Sequence, residues 1–220
     1  MVTKTVLLSP SKSQRCAFSP LKPYAASTQA QIVAALPHAG KTTLWISGSS
    51  QMTAKLLKSL SWPRARLGRA LLLSKPTSET LVTLAECFER IAVVDVTLPP
   101  EELAEALAAK NRADLFVGGL VDHSSEMVTL LRGNLETLAV PFSAFPTSGD
   151  GIIPSFDEFA VTDSGQTVCF GEYEAASDAI LDEYSPEYRQ RRLKEQRAAK
   201  RFRNMLAKKL PVAAHRLGTA

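Results

Sequence analysis

The amino-acid sequence predicts an α/β fold in three parts: a small, mainly parallel layer, a β-rich α+β module, and a long C-terminal basic helix. Over residues 27–122, short apolar runs alternate with segments of helical periodicity, which is the pattern of a parallel sheet covered by helices. Two segments with the pattern of β-hairpins follow over residues 127–171. Residues 185–209 are then rich in Arg and Lys. These observations together predict a mixed α/β chain that ends in a charged helix.

We divide the chain into four parts on this basis. They are an irregular arm (1–26), an α/β domain (27–122), a small α+β module (123–184) and a basic helix with its tail (185–220). The arm is predicted to be irregular because Pro10, Pro20 and Pro23 stand among several serines.

Helices and strands alternate in the predicted α/β domain. The expected helices are 27–36, 49–60, 77–91 and 99–111, and the expected strands are 43–47, 70–74, 91–96 and 114–121. The first helix opens with Ser27-Thr28, a Ser/Thr cap, and Thr77 is a typical N-cap of the third. The strands are continuously apolar, which favours a parallel sheet buried on both faces.

The predicted α+β module contains two hairpins and a short helix. The hairpins, 127–142 and 158–171, are expected to turn at Arg132-Gly133-Asn134 and Asp163-Ser164-Gly165. The short helix spans 174–184, and the basic helix follows over 185–210. Ser185-Pro186-Glu187 is a typical helix start, and we expect Pro211 to end the basic helix.

The charge of the chain is distributed very unevenly along its length. The formal net charge is +4, yet residues 150–184 hold nine carboxylates and no Lys or Arg. Residues 185–220 hold 11 Lys and Arg against only Glu187 and Glu195. Adjacent blocks of opposite charge predict either that the two blocks attract each other or that the basic block binds an anionic partner.

Several classes of protein are disfavoured by the composition. No apolar run approaches the roughly 20 residues of a membrane-spanning helix, and the N-terminal apolar run is too short for a signal peptide. The three scattered cysteines are typical of reduced thiols. We therefore predict a cytoplasmic protein with no membrane partner.

Three short motifs have a plain structural interpretation that we prefer to a catalytic one. Gly40-Lys41-Thr42-Thr43 resembles part of a phosphate-binding loop, but Ala35 replaces its first glycine, and the predicted order is helix, loop, strand. We expect a turn with Gly40 as a helix C-cap. Gly48-Ser49-Ser50 is expected to be an N-cap rather than an anion site, and His123 beside Asp122 is expected to lie in a turn or bulge. No metal-ligand spacing is present, so neither metal nor cofactor is predicted.

The basic helix is the strongest functional signal in the sequence. Arg189, Arg192, Lys200 and Arg203 recur at helical spacing and are expected to share one face. Dense positive charge on an exposed helix favours contact with nucleic-acid phosphates. The candidate nucleic-acid-binding residues are Arg189, Arg191, Arg192, Lys194, Arg197, Lys200, Arg201, Arg203, Lys208 and Lys209. One alternative is a solvated tail. The other is an ionic contact of the basic helix with the acidic segment, with a second copy in a homodimer, or with an acidic partner protein.

The stretch of about residues 128–183 resembles a known protein family. The segments "VPFSAFP" (140–146) and "DSGQTVCFGEYEAASDAIL" (163–181) resemble the domain of unknown function 2442 family. The second hairpin has Val168, Cys169 and Phe170 where that family usually carries a Trp and a His. The resemblance implies a small α+β module that often accompanies toxin–antitoxin-like genes or a repressor-type helix-turn-helix, and it implies no catalytic residues.

The continuation from Tyr184 to Leu206 is similar to the linker that precedes such a helix-turn-helix. We expect the remaining residues to be too few for two further helices, so a complete DNA-reading unit is not predicted. The sequence thus predicts a non-enzymatic regulatory protein that binds nucleic acid through its basic helix. The alternative is a protein-interaction or antitoxin-like module whose basic helix docks on an acidic surface or a second copy.

Overall fold

The structure, a computed structural model, describes residues 4–9, 11–60 and 67–217, with side chains described up to Leu206. The chain divides into two compact units, Met1–Ser177 and Asp178–Ala220. The α/β fold class, with a parallel sheet, antiparallel sheets and a long C-terminal helix, is confirmed.

The first unit begins with a five-stranded parallel sheet and its helices. Its elements are β1 (Thr5–Leu8), α1 (Lys12–Ala17), β2 (Tyr24–Ala26), α2 (Gln29–Ala35), β3 (Leu44–Ser47), α3 (Ser50–Ser59), β4 (Arg69–Leu72), α4 (Ser78–Cys87) and β5 (Arg90–Val93). The strand order is β2-β1-β3-β4-β5, and every neighbouring pair is parallel. The predicted parallel layer is therefore confirmed.

The prediction of an irregular arm over residues 1–26 is wrong. β1 lies inside the sheet between β2 and β3, and its residues Val6, Leu7 and Leu8 are fully buried. Pro20 lies at the start of a short 3-10 helix, and Pro23 directly precedes β2. Proline is tolerated at both places because neither needs its missing N–H, so nearby prolines did not exclude a buried strand.

The parallel sheet has buried side chains on both of its faces. Successive residues of each strand point to opposite faces. On one face, Val6, Trp45 and Ala70 lie side by side in register and belong to a core shared with α2, α3 and α4. The indole Nε1 of Trp45 donates to the carbonyl of Leu67 at 3.2 Å, so the polar atom of this large side chain is paired. Leu7 and Ile46, one residue along each strand, are buried on the opposite face.

Two antiparallel sheets and three α-helices follow in the described part of the chain. They comprise β6 (Val96–Thr97), α5 (Pro100–Ala108), β7 (Phe116–Asp122), β8 (Met127–Arg132), β9 (Thr137–Pro141), β10 (Phe159–Thr162), β11 (Thr167–Phe170), β12 (Tyr173–Ala176), α6 (Ser177–Tyr184) and α7 (Pro186–Leu217). The sheet orders are β6-β7-β8-β9 and β10-β11-β12. Both predicted hairpins are confirmed, as β8–β9 and β10–β11.

The predicted boundary between residues 122 and 123 does not separate two domains. It falls in the turn between β7 and β8, which pair antiparallel over their whole length. β7 thus belongs to the antiparallel sheet and not to the parallel layer. An apolar run is equally compatible with either kind of buried strand, so the sequence pattern did not distinguish them.

Close backbone approach explains why glycines occur in β7 and in the second hairpin turn. A side chain at Gly118 would place its Cβ 2.3 Å from the carbonyl oxygen of Val96 in β6. Gly165, with φ of +92°, brings the β10–β11 turn onto β7, where a Cβ would lie 2.3 Å from the carbonyl oxygen of Phe116. Gly118 therefore allows β6 to approach β7 within one sheet, and Gly165 allows the β10–β11 turn to approach the other sheet at β7.

Other predicted helix limits are also wrong. The helix predicted over 77–91 ends at Cys87, because Arg90 and Ile91 belong to β5. Residues 174–176 belong to β12, where Glu174 pairs with Cys169, and α6 begins only at Ser177. α7 continues through Pro211 to Leu217. A proline inside a helix removes one backbone hydrogen bond, which is compatible with a helix that continues on both sides.

A buried arginine connects the antiparallel sheet to the loop before it. The Arg132 side chain at the end of β8 is only 10% exposed, and its Nε donates to the carbonyl of Ala113. Its guanidinium lies 3.7 Å from Asp114 Oδ1 and 3.7 Å from Glu136 Oε2. The cation therefore joins the loop at Ala113 and Asp114, distant along the chain, to the turn that directly follows β8.

The turn after Arg132 also reaches the parallel sheet. Arg69 of β4 donates to the carbonyl of Asn134 at 2.8 Å, and Arg90 of β5 lies 3.6 Å from Glu136. Arg90 also donates to the carbonyl of Leu135 at 3.3 Å. Arginines of β4 and β5 in the parallel sheet thus contact the same turn as Arg132 of β8 in the antiparallel sheet.

We expect Arg132→Met to lower the free energy of unfolding by about 3 kcal/mol, because removing one member of a buried ion pair leaves its partners poorly compensated. Arg90→Met is the control: its side chain is 44% exposed, so we expect about 1 kcal/mol or less. Urea denaturation of both variants measures the difference, and equal losses would contradict a special role for Arg132.

Candidate nucleic-acid interface

α7 is a helix whose described side chains are solvent-exposed almost all round. From Gln190 to Leu206 every side chain is exposed except that of Arg192, which is half-buried. Tertiary packing therefore does not explain the helix in this stretch. Arg, Lys, Gln, Glu and Ala dominate it, and these are the residues with the highest helix propensity.

α7 begins directly after α6, and Ser185 lies between the two helices. It forms hydrogen bonds with the end of α6 and with the start of α7. The amide of Ser185 donates to the carbonyl of Leu181 at 2.9 Å, which closes the last turn of α6. The Ser185 hydroxyl accepts from the amide of Tyr188 at 3.4 Å and donates to Glu187 Oε2 at 3.3 Å. The helix start predicted from Ser185-Pro186-Glu187 is therefore confirmed.

Two of the predicted phosphate-binding arginines instead hold this junction together. Arg189 donates from Nε to the carbonyl of Asp182 and from Nη2 to that of Glu183, both at 2.6 Å. These carbonyls belong to the last turn of α6, which has no intrahelical donor for them. Arg192 lies 3.4 Å from the carboxylate of Asp182. A cation at the C-terminus of a helix is also favoured by the helix dipole.

Arg191 is engaged along α7 itself. Its Nε lies 4.0 Å from Glu195 Oε1, one turn further on. Its guanidinium lies 5.2 Å from the centre of the Tyr188 ring, within the range of a cation–π contact. Both contacts are on the solvent side of the helix, where each contributes little.

Five of the predicted binding residues remain unpaired. In the part of the chain that the structure describes, none of them has a hydrogen-bond or ion-pair partner. They are Lys194, Arg197, Lys200, Arg201 and Arg203. We call these five residues the free basic set. The predicted residues Lys208 and Lys209 lie outside the described side chains.

The described side chains of α7 also include an exposed apolar group. Phe202, Met205 and Leu206 are 57%, 44% and 39% exposed. With the exposed Ala198 they recur at spacings of three and four residues, so they share one side of the helix. We call these four residues the apolar stripe.

The Gly40-Lys41-Thr42-Thr43 segment forms the turn that the sequence predicts. A short 3-10 helix, Leu36–His38, precedes it and β3 follows, so no helix begins at Lys41. The amide of Gly40 donates to the Thr43 hydroxyl at 2.9 Å. The prediction that Gly40 caps the helix is wrong: Ala39 holds the cap position, because the 3-10 helix extends the chain past α2.

The other two motifs also have the structural roles expected of them. Ser49 is the N-cap of α3, its hydroxyl accepting from the amide of Met52 at 3.3 Å. Asp122 closes the β7–β8 turn by accepting hydrogen bonds from Ser124 and Ser125, which lower the pKa of its carboxyl to about 2. His123 faces Asp157 instead, at 3.1 Å.

No group of three His, Cys, Asp or Glu side chains in the described part of the chain is arranged to hold a metal ion. No helix there has both the length and the apolar character required to cross a bilayer.

Comparisons of the chain with protein-family models, with curated proteins and with solved structures find no match. The resemblance to the domain of unknown function 2442 family therefore stays a prediction.

We expect Arg189→Gln to loosen the junction between α6 and α7. We expect the loss of two hydrogen bonds from a charged donor to cost about 1.4 kcal/mol here. This raises the population of the locally open state roughly tenfold. Hydrogen–deuterium exchange of the amides in the last turn of α6 measures this opening. Arg197→Gln is the control, because Arg197 has no partner among the described residues, and an equal effect of both variants would contradict the assigned role.

Proposed function

We propose that the chain is a non-enzymatic, cytoplasmic regulatory protein that binds nucleic acid through α7. The observation that carries this proposal is the free basic set. Lys194, Arg197, Lys200, Arg201 and Arg203 project from one exposed helix, and no carboxylate among the described residues neutralises them.

The physical argument is that these cations gain more from phosphates than from water. A phosphodiester backbone carries closely spaced charges and a condensed layer of counterions, and each Lys or Arg that binds it releases counterions. A single helix displaying five unpaired cations over ten residues has the right scale, since an α-helix fits the major groove of a duplex. Such contacts position the protein on the duplex without reading its sequence.

The junction arginines have a different role in the same proposal. Arg189 and Arg192 are already engaged with α6, so they orient α7 instead of contacting phosphates. The binding surface therefore begins about one turn further along α7 than the charge pattern alone predicts.

The proposal is tested by the salt dependence of binding to a short DNA duplex. If all five residues contact phosphates, the slope of log affinity against log salt is about −4.5 for each bound chain. Replacing the free basic set by glutamine, which keeps the helix propensity, should remove most of this slope. Fluorescence anisotropy with a labelled duplex measures both the affinity and the slope.

The matched control removes five charges elsewhere. For this control we choose five exposed lysines of the first unit that likewise have no partner among the described residues. They are Lys12, Lys41, Lys58, Lys75 and Lys110. Their replacement by glutamine changes the net charge equally and should leave the slope nearly unchanged. If both variants lose binding equally, the attraction is non-specific, and if the native chain does not bind at low salt, the proposal is wrong.

A second candidate function is supported by the apolar stripe. Phe202, Met205 and Leu206 would find no apolar partner on a phosphate backbone. A protein-interaction or antitoxin-like module would use α7 to dock on an acidic partner surface that has an apolar centre. This function predicts that replacing the apolar stripe weakens binding more than replacing the free basic set does.

The non-enzymatic part of the proposal has its own test. Lys41 is exposed in a loop that leads into a strand, so no helix N-terminus lies behind it to bind phosphates. We expect no hydrolysis of ATP or GTP above background in a phosphate-release assay. Hydrolysis that disappears in Lys41→Ala would show that this loop is a nucleotide site.

A further inference from the structure

The strand order of the parallel sheet reverses at β1. The chain passes from β1 to β2 on one side, and then returns past β1 to add β3, β4 and β5 on the other side. Right-handed connections in opposite directions place their helices on opposite faces, and α2, α3 and α4 share a core that α1 does not join. In open α/β sheets such a reversal leaves a crevice outside the carboxyl ends of the two central strands, where ligands bind. We call the carboxyl ends of β1 and β3, at Ser9 and Gly48, the switch point.

Gln14 of α1 lies directly over the switch point. The two strand ends are adjacent there, since the amide of Gly48 donates to the carbonyl of Leu8 at 3.1 Å. A Cβ at Gly48 would lie 2.7 Å from Gln14 Oε1 and 3.3 Å from Gln14 Nε2. The Oε1 atom accepts a hydrogen bond from the buried hydroxyl of Ser9. The Nε2 atom has no partner among the described residues, so an amide donor stays available beside Gly48.

Serine hydroxyls lie at three neighbouring carboxyl ends of the sheet. After β1, the hydroxyls of Ser11 and Ser13 are 2.7 Å apart. After β3, the hydroxyl of Ser50 donates at 3.3 Å to that of Ser74, which follows β4. Ser49 is already engaged in capping α3, but the other four are exposed or half-buried, and a hydroxyl can rotate to donate to a ligand. This edge of the sheet thus offers neutral donors over three adjacent strands.

The charge of this part of the chain favours an anion. Residues 1–78, which include β1 to β4 and α1 to α3, hold 11 Lys and Arg and no Asp or Glu. The first acidic residue of the chain is Glu79, in α4. Lys12 lies at the start of α1, exposed and without a partner among the described residues. A surface with charge of one sign attracts oppositely charged ligands and raises their local concentration.

We propose that the switch point binds the phosphate group of a small molecule, either as inorganic phosphate or as a phosphate ester. The donors are the Gln14 Nε2 atom and the hydroxyls of Ser11, Ser13 and Ser50, and Lys12 supplies positive charge. The site lies within the first unit and does not involve α7. It therefore adds a second binding activity to the proposed function and does not depend on it.

A phosphate group matches these donors better than a carboxylate does. Its oxygens point in several directions, as donors spread over three strand ends require, whereas a planar carboxylate is matched best by the fork of an arginine. Hydrogen bonds to an ionised acceptor are also roughly twice as strong as those between neutral groups. α3 begins at the same edge, and the partial positive charge of its N-terminus adds to the attraction.

The test uses the full chain with inorganic phosphate and adenosine monophosphate as probes, and adenosine, which lacks the phosphate, as their control. Proton–nitrogen NMR spectra are recorded during each titration. We expect both probes to cause saturable shifts of the amides of residues 11–14 and 48–51, and adenosine to cause none there. Tighter binding of inorganic phosphate would support the free ion as the ligand, and tighter binding of adenosine monophosphate would support an ester.

Gln14→Glu keeps the acceptor for Ser9 but replaces the free donor with a negative charge. We expect both probes to bind at least about tenfold more weakly, because a charge-assisted hydrogen bond is lost and a like charge is added. Gln166→Glu is the matched control, with the same change of charge at an exposed residue of the β10–β11 turn. It should leave the affinity within about twofold, since exposed charges are screened by salt.

Gly48→Ala tests the same place without a change of charge. The backbone at Gly48 is not in the left-handed region, so alanine can adopt it. The new Cβ would displace the Gln14 side chain and its donor, and we expect binding about tenfold weaker. Gly149→Ala is the control, because nothing lies within 4 Å of a Cβ there. Circular dichroism checks that each variant is folded.

Three results of the titrations would overturn the site: no saturable shift at residues 11–14 and 48–51, shifts confined to the free basic set, or equal binding of adenosine and adenosine monophosphate. Folded variants at Gln14 and Gly48 that bind both probes as tightly as the native chain would overturn it as well. DNA binding by α7 is measured separately with the labelled duplex, so failure of either proposal leaves the other intact.

Discussion

The first unit depends on one buried cation, Arg132. Its guanidinium satisfies the carbonyl of Ala113 and compensates Asp114 and Glu136, so the end of β8, the loop before β7 and the turn before β9 have one common anchor. That turn also receives side chains from β4 and β5 of the parallel sheet. A buried charge is stable only with its full set of partners, and this requirement fixes where the two sheets meet.

The second unit uses arginines in two distinct ways. Arg189 and Arg192 serve the junction, because the last turn of α6 has carbonyls without donors and a carboxylate at Asp182. The five residues of the free basic set have no partner among the described residues, so they are available to an external anion. Identical side chains thus differ in function according to whether a helix end lies within their reach.

Parts of the fold were accessible from the sequence, because local patterns determine them. The hairpin turns and the start of α7 at Ser185 follow from turn chemistry and capping. The position of β1 was missed because its three apolar residues, Val6, Leu7 and Leu8, are too few to carry a periodic signal. β7 was assigned to the wrong sheet because strand direction depends on its neighbours, here β6 and β8.

The sequence by itself determined the α/β class, the helical nature of α7 and its excess of positive charge, since periodicity, propensity and composition are local properties. Only the tertiary structure decided which cations are free. Arg189 and Arg192 are engaged because the end of α6 lies within their reach, whereas Arg197 and Lys200 have no partner among the described residues. The spacing of residues along one helix does not show which of them lie near the end of a neighbouring helix. For that reason the sequence predicts that α7 carries the candidate surface but does not predict which of its cations belong to that surface.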